Sequence, residues 1–365
     1  MGQSMRTVVP PAGSCCVICR SLRYPVGLVW LVLGLVGCQR TETPQFVVLP
    51  KLGELPQELQ TTVETELVRY TGTYLQPKLL AEPDAPPVDL ARGQAVYQER
   101  CVQCHGVSGD GNGPAAKYMY PRPRDYRRGL FKFTSTPYGS RPLRDDLLRT
   151  VRLGIRGTSM PAFNLLPEQD QQAVVDYVIM LARRGEMEQG IVDLAETEEE
   201  VDPELVQEDV VAVVLHRWNE AEESEVRPLT PQPRFTSEHV ERGKQAFLTK
   251  GCLKCHGEDG RGQTKENRGN DAWGQPTRAA DLTSGMLRGG PRPIDIYRRI
   301  YSGINGTPMP SFANALQTEP ETIWDLVAYV LDVSSRRRQG QIPPPGPIKP
   351  YVSAEQNQTA AQPTE

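Results

Sequence analysis

The sequence predicts a helical chain made of two copies of one cofactor-binding module, and two observations carry that prediction. The first is a repeated five-residue word, Cys101-Val102-Gln103-Cys104-His105 and Cys252-Leu253-Lys254-Cys255-His256. Each reads C-x-x-C-H, the covalent attachment pattern for c-type haem. Two thiols three positions apart on a helical turn each add to one vinyl group, and the histidine that follows stands under the iron as proximal ligand. One such word can be an accident or a redox dithiol. Two, with matching surroundings, are far more specific.

The second observation is that match. Met160, 55 residues after His105, lies in Gly157-Thr158-Ser159-Met160-Pro161-Ala162-Phe163. Met309, 53 residues after His256, lies in Gly306-Thr307-Pro308-Met309-Pro310-Ser311-Phe312. A methionine followed by proline suits a sixth ligand, because proline fixes its own φ and restricts its neighbour. Asp146, Gly154, Ile155 and Gly157 share their offsets with Asp295, Gly303, Ile304 and Gly306. The pattern is a duplication rather than a long repeat array.

Along the chain, residues 1–37 read as a lipoprotein-type signal peptide. Arg20 and Arg23 precede the apolar run Pro25 to Val36, too short for a membrane span of about 20 residues. The run ends Leu35-Val36-Gly37-Cys38, a lipobox-like word that makes Cys38 the lipid attachment site. Two acyl signals anchor more firmly than one. The alternative for this segment is an uncleaved N-terminal anchor. Of the eight cysteines, four belong to the haem words, Cys38 takes lipid, and Cys15, Cys16 and Cys19 leave with the leader. None remains for a disulfide.

Residues 38–87 read as a Pro-rich tether, with a short helix over Pro56 to Tyr70. The first module spans 88–184. It opens with a helix over Leu90 to Arg100 and closes with one over Leu165 to Arg183, where Val174, Tyr177, Val178 and Leu181 share a face. Residues 185–236 read as an acidic linker, partly helical over Pro203 to Trp218. Within it, 186–225 holds fifteen acidic residues against Arg217, a density that is usually solvated. Residues 226–234 read as a stiff joint. The second module spans 237–337, with Ser237 as N-cap of a helix through Lys250 and a closing helix over Glu319 to Arg337. The tail 338–365 is rich in Pro, Gln and Thr and reads as disordered.

The chain carries a formal charge of −4; without the leader's Arg6, Arg20 and Arg23 it holds 38 basic against 45 acidic residues. That balance gives no support for nucleic-acid binding.

These residues resemble class I cytochrome c domains, twice in tandem. The resemblance implies an all-α fold: two cytochrome c-like helical domains, each wrapped around a covalent haem, joined by the acidic linker. It implies two haem c groups, held by Cys101 and Cys104 and by Cys252 and Cys255. It implies that the first and last helices of each domain cross, bringing Gly93 and Tyr97 to Val174 and Tyr177, and Gly243 and Phe247 to Leu326 and Tyr329. It implies a proline carbonyl that orients each proximal histidine, from Pro121 or Pro123 in the first copy and Pro276 in the second. The first copy departs from the second by about seven extra residues between Asp125 and Met160 and by nine arginines (122, 124, 127, 128, 141, 144, 149, 152 and 156). One or two of these suit haem propionates or a basic docking face, and the rest read as solvated.

The axial sets expected are His105 with Met160 and His256 with Met309. Competing methionines are Met119, Met180 and Met286; bis-histidine ligation would need His216 and His239, neither of which has a counterpart in the other copy. His/Met ligation closes the iron and raises its potential. The expectation is therefore an outer-sphere electron carrier with redox-protein partners or a membrane respiratory complex, and no small-molecule substrate. It is exported to the periplasmic side and membrane-anchored by lipid, in a respiratory or related chain. The alternatives are a di-haem peroxidase or small-ion dehydrogenase, which need an iron able to lose a ligand, or the cytochrome subunit of a larger oxidoreductase.

Overall fold

The computed structural model describes residues 44–264 and 269–341. The leader, Cys38 and the tail beyond residue 341 lie outside the described residues. The architecture is all-α. Among the described residues the single sheet is a two-residue antiparallel pair, β1 (Gly269–Asn270) with β2 (Pro276–Thr277), in which Gly269 faces Thr277.

The first half contains α1 (Gln57–Thr71), α2 (Leu90–Arg100), α3 (Val102–His105), α4 (Arg144–Leu153) and α5 (Glu168–Glu198). Asp89 starts α2 by accepting the Arg92 amide, an N-cap of the usual kind. α2 crosses α5 at Gly93, where a Cβ would stand 2.9 Å from the Tyr177 Cβ and closer still to the Ala173 carbonyl. The missing side chain lets the backbones meet, and Tyr97 and Tyr177 pack beside the crossing with centroids 5.2 Å apart. Around them Leu90, Tyr126, Val174, Met180 and Leu181 form one buried cluster.

Three sequence expectations fail in this half, for one reason. The described part of the tether is not a tether: α1 and the 3₁₀ turn Pro50–Glu54 bury Leu52, Val63 and Leu67, and Leu80 joins them. They pack on α5, which does not stop at Arg183 but runs through Glu198. Its extra turns bury Met187, Ile191, Val192 and Ala195, a stripe at helical spacing. The acidic linker completes the same core through Val206, Val210, Val211, Val214, Leu215 and Trp218. These come from a continuous helical run: α6 (Pro203–Leu205), a π-helical stretch (Val206–Val211) and α7 (Ala212–Glu223). The linker's charges mostly face solvent, but two turn inward. Glu186 accepts from Arg141 and from the Trp218 indole at 2.7 Å, and Glu188 accepts from the Leu49 amide at 2.6 Å.

The second half contains α8 (Ser237–Thr249), α9 (Cys252–His256), α10 (Pro293–Ser302) and α11 (Glu321–Arg336). The N-cap of α8 is Thr236, one residue before the predicted Ser237, and His239 reaches back to its amide. The helix crossing repeats: a Cβ on Gly243 would meet the Asp325 carbonyl and lie 2.9 Å from the Tyr329 Cβ, with Phe247 and Tyr329 centroids 5.1 Å apart. The joint before α8 is strapped down. Val226 N donates to Ser135 O at 2.8 Å, Leu229 N to the Tyr297 hydroxyl at 3.0 Å, and the Trp324 indole to Thr230 O at 2.9 Å.

The two halves touch directly, and this absorbs several of the arginines expected to be solvated. Arg124 pairs with Asp271 at 3.2 Å, Arg128 donates to Ala272 O at 2.8 Å, and Arg149 reaches Asp295 at 3.4 Å and Gly289 O at 3.1 Å. Arg141, Arg144 and Arg127 are held by Glu186, Asp176 and Asp125 within the first half.

Candidate haem sites

Each haem word sits at the same place in its half. Cys101 caps the end of α2, and α3 carries Cys104 and His105; in the second half α9 carries Cys252, Cys255 and His256. All four cysteines are unbridged and half-buried. Burial pushes the Cys101 thiol up to about 12 and the Cys252 thiol to about 11. Each pair of thiols stands on one helical turn directly ahead of its histidine, the placement that thioether attachment of a haem needs.

Both histidines engage a backbone carbonyl through Nδ1. His105 Nδ1 lies 3.4 Å from the Arg124 carbonyl and His256 Nδ1 lies 3.2 Å from the Ala280 carbonyl. With Nδ1 engaged on backbone, Nε2 is the nitrogen left for a metal. Burial lowers the pKa of both rings, keeping the imidazoles neutral as ligation requires. The predicted proline carbonyls are corrected here: neither Pro121, Pro123 nor Pro276 accepts this bond. The acceptors are the residues just before Asp125 and Asp281. A carbonyl is present on every residue, so residue type did not mark it; the aspartates that follow both acceptors were the available signal.

The peptide around each word is also conserved between the halves. Gly106 N returns to Val102 O and Gly257 N to Leu253 O, both at α-helix C-termini. Gly111 N then donates to His105 O at 2.9 Å, and Gly262 N to His256 O at 2.7 Å.

The methionine loops share one hydrogen-bond lattice. Ile155 N donates to Met160 O at 3.1 Å, and Ile304 N to Met309 O at 3.2 Å. The Thr158 hydroxyl donates to Ile155 O and accepts from Met160 N; Thr307 does the same with Ile304 O and Met309 N. Gly154 and Gly303 turn each loop at φ 62° and 71°. A Cβ there would sit 2.6 Å from Met160 O and 2.7 Å from Met309 O. Glycine is required both for the left-handed conformation and for the approach. Sequence reasoning credited the proline with holding each methionine and missed the threonine, although it stands two residues before methionine in both copies. Asp146 and Asp295 explain their repeated position too: each accepts from a backbone amide at the start of its helix, Leu143 N and Arg292 N.

The competing ligands fall elsewhere. Met180 is a core residue of α5 and Met286 is 55% exposed. Met119 is half-buried after a 3₁₀ turn. His216 is exposed on α7, and His239 is occupied capping α8.

Besides the residue that supplies the histidine acceptor, the proximal sides differ in their aromatic hydroxyls. In the first half Tyr97 donates to Gly106 O at 2.9 Å and shares a hydrogen bond with the Tyr126 hydroxyl, whose ring lies 5.4 Å from the His105 ring. Burial raises the pKa of both tyrosines well above the ordinary value, so both remain neutral donors. Phe247 takes the place of Tyr97 in the second half.

Comparison with known proteins agrees with this duplication. Residues 88–178 match the family described as cytochrome c oxidase, cbb3-type, subunit III, and residues 240–334 match cytochrome c. No curated protein matches the chain. Among solved structures, it is similar to a chain of the Kuenenia stuttgartiensis reducing HAO-like protein complex, at 30% identity and a TM-score of 0.53, covering 68% of this chain and 97% of that one. With two crossed-helix modules, two C-x-x-C-H words and a family match over each, the chain belongs to the cytochrome c family as a di-haem class I cytochrome c with two covalently bound c-type haems.

Proposed function

We propose that the protein is an electron carrier in which Cys101 and Cys104 bind one haem, Cys252 and Cys255 the other, and the axial pairs are His105 with Met160 and His256 with Met309. The observation that carries this reading is the methionine-loop lattice, which recurs bond for bond in both halves. An enzyme of the peroxidase type needs one iron that can shed its ligand, which a loosely held methionine loop would favour. Here both methionines are tied at their amide and their carbonyl. A haem iron closed by His and Met exchanges electrons through the outer sphere, with the protein setting potential and access.

The chain's partners are then redox proteins. The similarity to a chain of a multi-protein complex favours a second form of the same reading, in which this cytochrome serves as a subunit of an oxidoreductase assembly. Export and a lipid anchor at Cys38 complete the proposal, on the strength of the basic–apolar–Leu-Val-Gly-Cys order of the leader. No helix among the described residues is long and apolar enough to cross a membrane.

The test is ligand access. Met160→Ala and Met309→Ala are each expected to lower the potential of one haem and to open that iron to carbon monoxide, while the wild type binds it slowly and shows no peroxide turnover. Rapid carbon monoxide binding by one wild-type haem, with turnover, would overturn the carrier reading. Intact-mass measurement of the mature N-terminus tests the anchor: an unmodified Cys38 removes it.

A further inference from the structure

The segment between β1 and α10 of the second half does something that neither haem word requires. Trp273 stands where the histidine side of one site meets the methionine side of the other. Its indole N–H donates to Asp125 O at 2.7 Å. Asp125 follows Arg124, whose carbonyl accepts from His105. The Arg124 guanidinium lies over the indole face at 3.6 Å from the ring centroid and is tied to Asp271 at 3.2 Å. The other edge of the ring covers Gly306, where a Cβ would come within 2.6 Å of the Trp273 Cη2. Beside it, Ala272 N donates to Gly306 O at 2.9 Å. Gly306 opens the Gly-Thr-Pro-Met-Pro loop that ends at Met309.

We propose that Trp273 is the bridging residue for electron exchange between the two haems. This rests on the axial assignments given above. A continuous chain of bonds joins the two iron ligands: His105 to the Arg124 carbonyl, along one peptide to the Asp125 carbonyl, across to the Trp273 indole, then through Ala272 to Gly306 and its loop. Three hydrogen bonds, at 3.4, 2.7 and 2.9 Å, are its only non-covalent links. A polarisable ring lies between the Asp125 carbonyl and Gly306. In the step itself one electron leaves the reduced iron and enters the oxidised one. No bond forms or breaks, no proton moves, and the indole stays neutral throughout. The local fold holds the ring in place: Asp271 accepts from Trp273 N at 3.1 Å and from Gln275 N at 3.0 Å, so the turn is fixed by its own aspartate.

The experiment uses the full di-haem protein. A sub-stoichiometric pulse of reductant is followed by the absorbance relaxation as electrons redistribute between haems. Trp273→Leu, which removes ring and donor, is expected to slow that relaxation by about tenfold. Trp273→Phe keeps an aromatic ring at this position but loses the N–H and the far edge of the indole that covers Gly306, and is expected to fall between leucine and wild type. Haem potentials and spectra should hold in both. In the wild type the indole N–H should also exchange slowly with solvent deuterium. Arg128→Ala, which cuts the neighbouring bond to Ala272 O without touching the indole, controls for loosened packing and should keep the wild-type rate. Unchanged relaxation in Trp273→Leu overturns the proposal, and so does an equal slowing in Arg128→Ala. Failure of the carrier reading shows itself separately, as rapid carbon monoxide binding by the wild type.

Discussion

The two halves of this cytochrome keep the same backbone bonds and differ in the side chains around them. The lattice that holds Met160 holds Met309, and the glycine contact that crosses α2 over α5 crosses α8 over α11. What diverges is the proximal side and the packing outside the haem cage. In the first half the acceptor for the histidine belongs to an arginine paired with Asp271, and a hydrogen-bonded tyrosine pair lies beside the ring. In the second half the acceptor belongs to an alanine, and phenylalanine replaces the inner tyrosine. The first half also wraps itself in α1, the long end of α5 and the helices to Glu223, whereas the second closes on α8, α10 and α11. The two halves share the bonds that fix the histidine words and the methionine loops, and they differ in the side chains around them.

The largest effect that tests this comparison is loss of a haem. Changing Cys101 and Cys104 to Ala should remove one haem and leave the other, because the second half has its own buried cluster around Trp324 and Tyr329. Haem content per chain checks it. A folded, exported variant lacking both haems would show that the halves are not separate cofactor units.

The crossing glycines come next. Gly93→Ala and Gly243→Ala each drive a methyl into a backbone carbonyl of the partner helix. Overpacking of this kind costs about 1–3 kcal/mol. Each substitution should destabilise its own half, seen in thermal melts followed at haem and far-ultraviolet wavelengths. Equal behaviour of the two variants would support a shared scaffold; indifference at either site would break it.

Smaller effects probe the divergent groups. Thr158→Val and Thr307→Val remove the hydroxyl that ties each methionine amide, worth about 0.5–1.5 kcal/mol. The corresponding haem should bind cyanide up to about tenfold faster, with similar size in both halves. Tyr97→Phe, by contrast, should act on the first half alone. It leaves the buried Tyr126 hydroxyl without its partner, at a cost of about 1–3 kcal/mol, and makes that half resemble the second. Denaturant titration monitored at each haem separates the two. An equal response from both haems would mean the tyrosine pair is not local in its action.

The sequence made the haem words, the methionine loops and the crossing glycines readable because each is local and occurs twice. Three things were not readable, each for a physical reason. The histidine acceptors are backbone carbonyls, which no residue type marks. Contacts between the halves, such as Arg124 with Asp271, join positions 147 residues apart and follow from the fold alone. The buried stripe of Met187, Ile191, Val192 and Ala195 was present as a helical pattern. Fifteen acidic residues around it suggested solvation; most of them do face outward, while Glu186 and Glu188 are buried with partners.

The mildest prediction concerns that outer layer, which the second half lacks. Glu188 is buried on α5, and burial raises its pKa against the opposing pull of the Leu49 amide and of Arg184 and Arg127. The folded state therefore holds this proton more tightly than the unfolded chain. Its contribution to stability is fully present below the ordinary carboxyl pKa and is lost as pH rises through the higher folded value. Glu188→Gln cannot titrate, and its amide oxygen still accepts from Leu49 N. The wild type should lose stability across that acidic window relative to the variant, with the difference levelling off above it. The haem of the second half should show no such difference. Urea titrations at a series of pH values, read separately at the two haems, measure both slopes. Parallel curves for wild type and variant would mean that Glu188 is already solvated and that the outer layer of the first half does not exclude water.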